Sequence, residues 1–473
     1  MLRMTHFTQP LLVAVCAACL LSVPLPGQNL TIEQVQELQK DAETAGAALK
    51  RVPKAEDPKV AGELSTAEGA VGRISDRLNQ YMTQIKVADA PEDIFQGGKK
   101  YPTAAKVRIE SFEVPVDATV LHVPVTLDRE SSNTVIAYVR VFDGEGGRAA
   151  PDTTKSVIFY PGDPLTKTIS FPVSNMAAGN NVKAVQPAVP DGAERAGGGI
   201  LITAREGAVN EPVEGGRAPL TFEAQGQLSY SATGETIQFD DQGGPNRFST
   251  SLVHGRTQVG NGETGYYGTV DMGGFERTPE GLVLSSRRLK EPMKVGTPAM
   301  YYPFLATMLS GHKTPETQFK YGSVEWVVKM PNRPESWPAL WLIPTGGWPP
   351  EIDVYEGFGY NGSWKFPANL STNLHGGDNQ IRTFTRPAMR MEMKTFGLPN
   401  TLDSEFHTFA VTVTPEWITM FVDTRETMRY ANPFKGENWY PLTNVAVKAK
   451  DDSPYTEGSG AMTVRSIKVW RVE

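Results

Sequence analysis

Three carboxylates, Glu351, Asp353 and Glu356, fall within six residues of the otherwise apolar stretch GGWPPEIDVYEGFGYNG, residues 346–362. Like charges crowded together raise one another's proton affinity, and burial adds to the effect. Such a set holds at least one proton near neutral pH, which a general acid needs, while a neighbouring carboxylate remains free to attack or to accept a proton. Two plainer readings compete. The stretch could open a helix, with proline in the first turn and the acids at the positive dipole end. It could equally be a solvated strand edge. Against the helix, only six residues separate Pro350 from Gly357, and Ile352, Val354 and Tyr355 favour strand. Against the solvated edge, Trp341, Leu342, Ile343 and Trp348 just upstream read as buried or cleft-lining.

In a regular strand, residues 351, 353 and 355 share a face and 356 points away. One extra residue, inserted as a β-bulge near Val354 or Tyr355, brings Glu356 back beside the other two. Two carboxyl groups about 5–5.5 Å apart are what cleavage of a glycosidic bond with retention requires, one as nucleophile and one as acid and then base.

The elements that must hold this strand are β-structure. From Leu220 to Glu473 the chain reads as short strands separated by Gly, Asn and aromatics, as in YGSVEWVVKMP, ALWLIP, FHTFAVTVTPEWITMFVD and MTVRSIKVWRVE. About 250 residues of antiparallel strand suggest a large two-sheet jelly roll over 220–473. Upstream, residues 105–204 show period-two strands such as TVLHVPVTLD and TVIAYVRVFDG, which predict a smaller accessory β-sandwich. Residues 205–219 and 91–104 read as linkers. Over 29–90, Ile32, Val35, Leu38, Ala42, Ala45 and Leu49, then Val60, Leu64, Ala67, Val71, Ile74, Leu78, Tyr81 and Ile85, form apolar stripes at helical spacing. The break at PKAEDP makes them a helical hairpin, either self-packed or available for self-association.

Residues 1–28 carry Arg3 and then an apolar run from Leu11 to Leu25, too short for a membrane span and read as a cleaved signal peptide. The expected localisation is secreted or periplasmic. The two cysteines, Cys16 and Cys19, lie inside that run, so the mature chain offers no disulfide or thiol nucleophile. A net charge of −7 without a dense Lys/Arg tract argues against nucleic acid as a partner. Forty-five glycines and 36 prolines fit a turn-rich all-β chain.

The residues around the carboxylates carry a resemblance. KYGSVEWVVKMPNRPESWPALWLIPTGGWPPEIDVYEGFG contains the spacing ExDxxE preceded by YGxxE, WPAxWLxP and WPPE, and it resembles glycoside hydrolase family 16 in its laminarinase and exopolysaccharide endo-β-glycanase branch. VGNGETGYYG and FHTFAVTVTPEWITMFVD are similar to two further segments of that family. The upstream run VPVTLD to ISFPV looks like a Calx-beta-like module, although its acids, among them Asp143, Glu145, Asp152 and Asp163, are scattered and no metal is assigned.

The family resemblance implies that Glu351 is the nucleophile, Glu356 the acid/base and Asp353 the residue that hydrogen-bonds the nucleophile. It implies sugar contacts by Trp341 and Trp337, by Asn261 and Glu263, by His375 in STNLHGG and by Trp439 in ENWYPL. Tyr360, Trp364 and Phe366 add aromatics after the carboxylates. Two departures stand out. TNVAVKAKDDSPYTEGSG replaces the family's run after that Trp, and Arg465 stands where many relatives place a calcium-binding Asp, so no metal and no cofactor are expected. The implied activity is a retaining endo-β-glycanase acting on β-1,3 or β-1,3-1,4 glucan or a bacterial exopolysaccharide. A transglycosylase on the same scaffold, a non-catalytic glycan-binding protein and an envelope scaffold are the rivals.

Overall fold

The structure is a computed structural model that describes residues 105–142, 154–173, 184–213, 215–333, 335–358, 369–376, 384–385, 389–399, 401–450 and 460–473. The expected signal peptide, helical hairpin and first linker lie outside these residues, as do Asp143, Glu145, Asp152, Tyr360, Trp364 and Phe366. The described residues belong to one compact unit, Ala90–Gly376 with Thr383–Glu473. They are β-strands joined by turns and short 3-10 segments, and no described helix is long and apolar enough to cross a membrane.

Period-two sequence builds the first layer pair. In the strand Val120–Leu127 the residues Leu121, Val123, Val125 and Leu127 are buried and alternate with partly exposed ones. In Val135–Phe142 the residues Val135, Ala137, Val139 and Val141 fill the core, while Tyr138, Arg140 and Phe142 are partly exposed. Each strand sits in a four-stranded sheet, Thr166–Pro172, Val120–Leu127, Lys106–Ile109, Glu194–Arg195 on one side and Thr154–Phe159, Val135–Phe142, Ala184–Pro187, Ile200–Leu201 on the other. Their inward faces share one core with Phe159, Ile169 and Phe171.

The larger region is also two-layered. One sheet runs through Met300–Ser310, Trp439–Val447, Ser336–Pro344, Glu351–Glu356 and Asn369–Gly376. The backing sheet runs through Arg425–Ala431, Trp417–Val422, His407–Val413, Tyr321–Lys329 and Gly460–Val472. The long strand Gly281–Val295 pairs with Gly460–Val472 through its first half and with Met300–Ser310 through its second, so the ladder closes on itself. Between the layers lie Trp326, Tyr355 and Phe409, all fully buried, and Trp326 Nε1 donates to Thr443 Oγ1 of the opposite layer at 2.9 Å. Burying rings of this size stabilises by about 1.5–3 kcal/mol each.

The residues expected as a second linker are fastened down instead of hanging free. Arg217 forms a fork to both carboxylate oxygens of Glu426, at 2.6 and 2.7 Å, and its backbone N–H donates to Asp163 Oδ1. The amide of Leu220 donates to Glu426 Oε2 at 2.8 Å. Beside them the small sandwich continues the backing sheet, since Thr134 N donates to Arg429 O and Ala431 N to Ser132 O. Arg425–Ala431 would otherwise be an unpaired sheet edge, which explains why a polar segment binds there in place of solvent.

Candidate active site

The strand Glu351–Glu356 lies between Ser336–Pro344 and Asn369–Gly376. Its register with Ser336–Pro344 pairs Trp341 with Asp353, then Leu340 with Tyr355 and Ala339 with Glu356. Val354 is therefore the extra residue, and the bulge falls where the spacing requires it. Ile352, Val354 and Tyr355 all point into the core, at 0%, 2% and 0% exposure. Glu351, Asp353 and Glu356 line the same recess on the other face, together with Trp337, Trp341, Asn261 and Glu263.

Cross-strand partners divide the three acids between them. His375 stands opposite Glu351 in the ladder, with Nε2 3.7 Å from Glu351 Oε1 and 3.1 Å from Asp353 Oδ2. Asp353 is 2% exposed, and its Oδ2 has no hydrogen-bond donor aligned on it. A hydrogen bond joins the side chains of Glu351 and Asp353, which requires one of the two to be protonated. Glu356 is held differently: Oε1 accepts from Trp337 Nε1 at 3.2 Å and Oε2 from Asn373 Nδ2 at 2.7 Å.

Electrostatics follows from this crowding. Burial pushes the Glu351 carboxyl well above the ordinary range, the charges of Asp353 and Glu356 add to that, and His375 opposes it. Burial likewise raises Asp353, with the Glu356 charge next, while its hydrogen bond to Glu351 acts the other way. Across the recess, burial raises Glu263 to about 7 despite hydrogen bonds from Asn261 Nδ2 at 2.8 Å and Tyr267 OH at 2.9 Å. Ligand atoms of Glu351, Asp353 and His375 lie within 4.8 Å of one another, so this trio is the described set able to take a metal ion.

Of the residues expected to touch sugar, Trp337, Trp341, Asn261 and Glu263 line the recess. Trp341 is pinned by its Nε1 donating to Asn444 Oδ1 at 2.6 Å. The ring of His375 is turned to the carboxylates. Trp439 is a correction. Its ring is fully buried on the core side, 5.9 Å from the Phe434 ring. The reason is strand parity: in Trp439–Val447, Tyr440, Leu442, Asn444 and Ala446 face the recess layer, and an odd-numbered residue cannot. Asn444, Asn373 and Gln258 are polar residues of the site that sequence reading missed. Asn373 lies two before His375 and so on its face, a signal already present in STNLHGG. Asn444 becomes visible only once the register against Ser336–Pro344 is known.

The family model for Glycosyl hydrolases family 16 matches residues 277–452. An endo-1,3-1,4-beta-glycanase, EglC, of Rhizobium meliloti (strain 1021) is 26% identical over 231 residues, which is 46% of this chain and 45% of that protein. A galactan endo-beta-1,3-galactanase of Flammulina velutipes is 25% identical over 181 residues, 37% of this chain and 65% of that one. The chain thus spans less than two thirds of either relative. Among solved structures, the laminarinase catalytic domain from Thermotoga maritima MSB8 aligns at 20% identity and a TM-score of 0.40, over 52% of this chain and 99% of that domain.

Proposed function

Residues 277–452 are a glycosyl hydrolases family 16 domain, and from that premise we propose that the chain is an exported endo-β-glycanase that cleaves polysaccharide with retention at the anomeric carbon. The observation that carries this reading is the bulge at Val354, which puts Glu351, Asp353 and Glu356 together on the recess side of one strand.

In the first step Glu351 attacks the anomeric carbon as a carboxylate. For this the proton of the Glu351–Asp353 hydrogen bond, which the free site favours on Glu351, passes to Asp353, which then stabilises the attacking charge. Glu356, oriented by Trp337 and Asn373, gives its proton to the departing glycosidic oxygen. In the second step the same group takes a proton from water, whose oxygen displaces Glu351 and releases the sugar. Trp341 offers an apolar face for a sugar ring, and Asn261 with Glu263 offers polar edges for its hydroxyls.

The relatives' names, an endo-1,3-1,4-beta-glycanase and a galactan endo-beta-1,3-galactanase, support a polysaccharide with β-1,3 linkages as substrate, and within that class we take a β-1,3 or β-1,3-1,4 glucan or a bacterial exopolysaccharide. Export is supported by the apolar run Leu11–Leu25. The test is a reducing-sugar assay on laminarin, lichenan, agarose and an acidic exopolysaccharide, with the anomer of the first product followed by proton NMR. New reducing ends in the β configuration are expected on at least one polymer. An α first product would overturn retention. An absence of products on all four, with binding still measurable, would assign the recess to capture without cleavage.

A further inference from the structure

The accessory sandwich carries a recess of its own. Along Val135–Phe142 the odd residues fill the core, which leaves Tyr138 and Arg140 on the outer face of their sheet. Arg140 is flanked in the ladder by Thr154 on one side and Gln186 on the other. With Arg195 and the 76%-exposed Val189 they enclose an open groove of about 290 Å³. That is close to the lower end of ligand-pocket volumes, roughly 300 Å³.

The charges in the groove are unevenly satisfied. Arg140 Nε is buried without a hydrogen-bond partner, and neither Arg140 nor Arg195 forms an ion pair among the described residues. The acids nearby are already engaged. Asp191 Oδ2 accepts from Tyr138 OH at 2.8 Å, and Glu392 Oε2 is bridged to Lys394 Nζ at 2.7 Å. Two guanidinium groups without an ion pair among the described residues, in one recess on a chain of net charge −7, are a local positive site in an otherwise repelling field. A guanidinium fork matches a carboxylate in shape, and the amide of Gln186 and hydroxyl of Thr154 match sugar hydroxyls.

We propose that this groove, where Arg140 and Arg195 converge beside Tyr138 and Gln186 without an ion pair among the described residues, binds a carboxylate-bearing polysaccharide. It is a second glycan site, separate from the recess of Glu351, and it takes from the proposed function only the choice of a polysaccharide as occupant. The sandwich is fastened to the larger region through Glu426 and Arg429, so a polymer held at the groove stays at raised effective concentration for the cleft.

The full chain carrying Glu351→Gln, which removes the nucleophile, is run in native gels containing polygalacturonate or, as the uncharged control, laminarin. Polygalacturonate should retard it, with an apparent affinity that weakens on adding salt. Adding Arg140→Gln and Arg195→Gln should weaken that retardation by about tenfold or more, the loss expected for a desolvated charge-assisted pair. Arg195→Gln alone, at an exposed side chain that folding does not need, should weaken it by a smaller factor in the same direction. Equal retardation with and without the two arginines, or none by polygalacturonate at all, overturns the proposal. Laminarin retardation that disappears with the arginines overturns the carboxylate assignment. Laminarin retardation unaffected by them reports the cleft alone, so failure of one site is read independently of the other.

Discussion

Asn373 stands opposite Asp353 in the ladder, yet its Nδ2 donates to Glu356 Oε2 at 2.7 Å. The reach is possible because the bulge at Val354 folds the strand so that Glu356 returns to the face of Asp353. The same displacement lets Trp337 approach Glu356 from the other side. One amide therefore ties the acid/base candidate to the strand that also carries His375. Asn373→Ala should lower kcat/KM by roughly ten- to a hundredfold, the value of a hydrogen bond to a charged group, with KM little changed. Trp337→Phe keeps the ring and should cost less. Steady-state kinetics on the best polysaccharide decides it, and an Asn373→Ala enzyme with unaltered kcat sinks the positioning role.

The two glutamates should fail in different ways. Glu356→Gln removes the proposed proton donor and should slow polysaccharide cleavage by roughly 10²–10⁴. An aryl β-glycoside with an acidic phenol leaves without that proton, so on it the loss should be far smaller. Glu351→Gln should be inactive on both. Azide should rescue Glu356→Gln to the β-glycosyl azide; an α product there would exchange the two roles.

Removing the extra residue tests the bulge directly. Without Val354, the strand regains strict alternation and residues 351, 353 and 356 still share a face. The deletion should therefore retain more turnover than Glu356→Gln, whereas an alanine inserted after Tyr355 reverses the facing of Glu356 and should abolish it. Activity in the order opposite to this contradicts the observed register.

Glu263 links the recess to stability. Its folded-state value, about 7, is raised by burial above that of an unfolded glutamate. The folded state therefore holds its proton more tightly than the unfolded chain. The stabilisation is complete below the unfolded value and is lost as pH rises toward 7 and through it, a change on the order of 3 kcal/mol. Glu263→Gln should flatten the fall of Tm over that window and leave the variant relatively more stable above pH 7. Parallel Tm curves for the two proteins across the window would exclude it.

Glu426 is the joint of the two sandwiches. Its side chain is fully buried and receives Arg217 and the Leu220 amide. Arg217→Ala leaves that carboxylate uncompensated and should destabilise by about 3–5 kcal/mol. Arg217→Met with Glu426→Gln removes both charges and should recover part of the loss. Chemical denaturation of the three variants measures it; a neutral Arg217→Ala shows that the fork contributes nothing.

Much of the site was legible before any fold was known. ExDxxE on a β-branched, aromatic stretch demands a bulge if its acids are to meet, and WPALW places two indoles beside them. These are local rules, because face alternation and the extra residue are properties of consecutive residues. What the chain alone leaves open is which face of one strand meets which face of another. Trp439 and Asn444 sit on one strand with opposite fates, and the choice depends on the register against Ser336–Pro344, a partner about a hundred residues away. His375 looked like a sugar contact in sequence; only the ladder with Glu351 turns its ring onto the carboxylates. Residues 205–219 read as a tether until Glu426, more than two hundred residues on, supplied a buried charge for Arg217. Short-range stereochemistry thus decided which side chains could do chemistry, while long-range strand pairing, driven by burial and by the matching of backbone donors and acceptors, decided which of them meet.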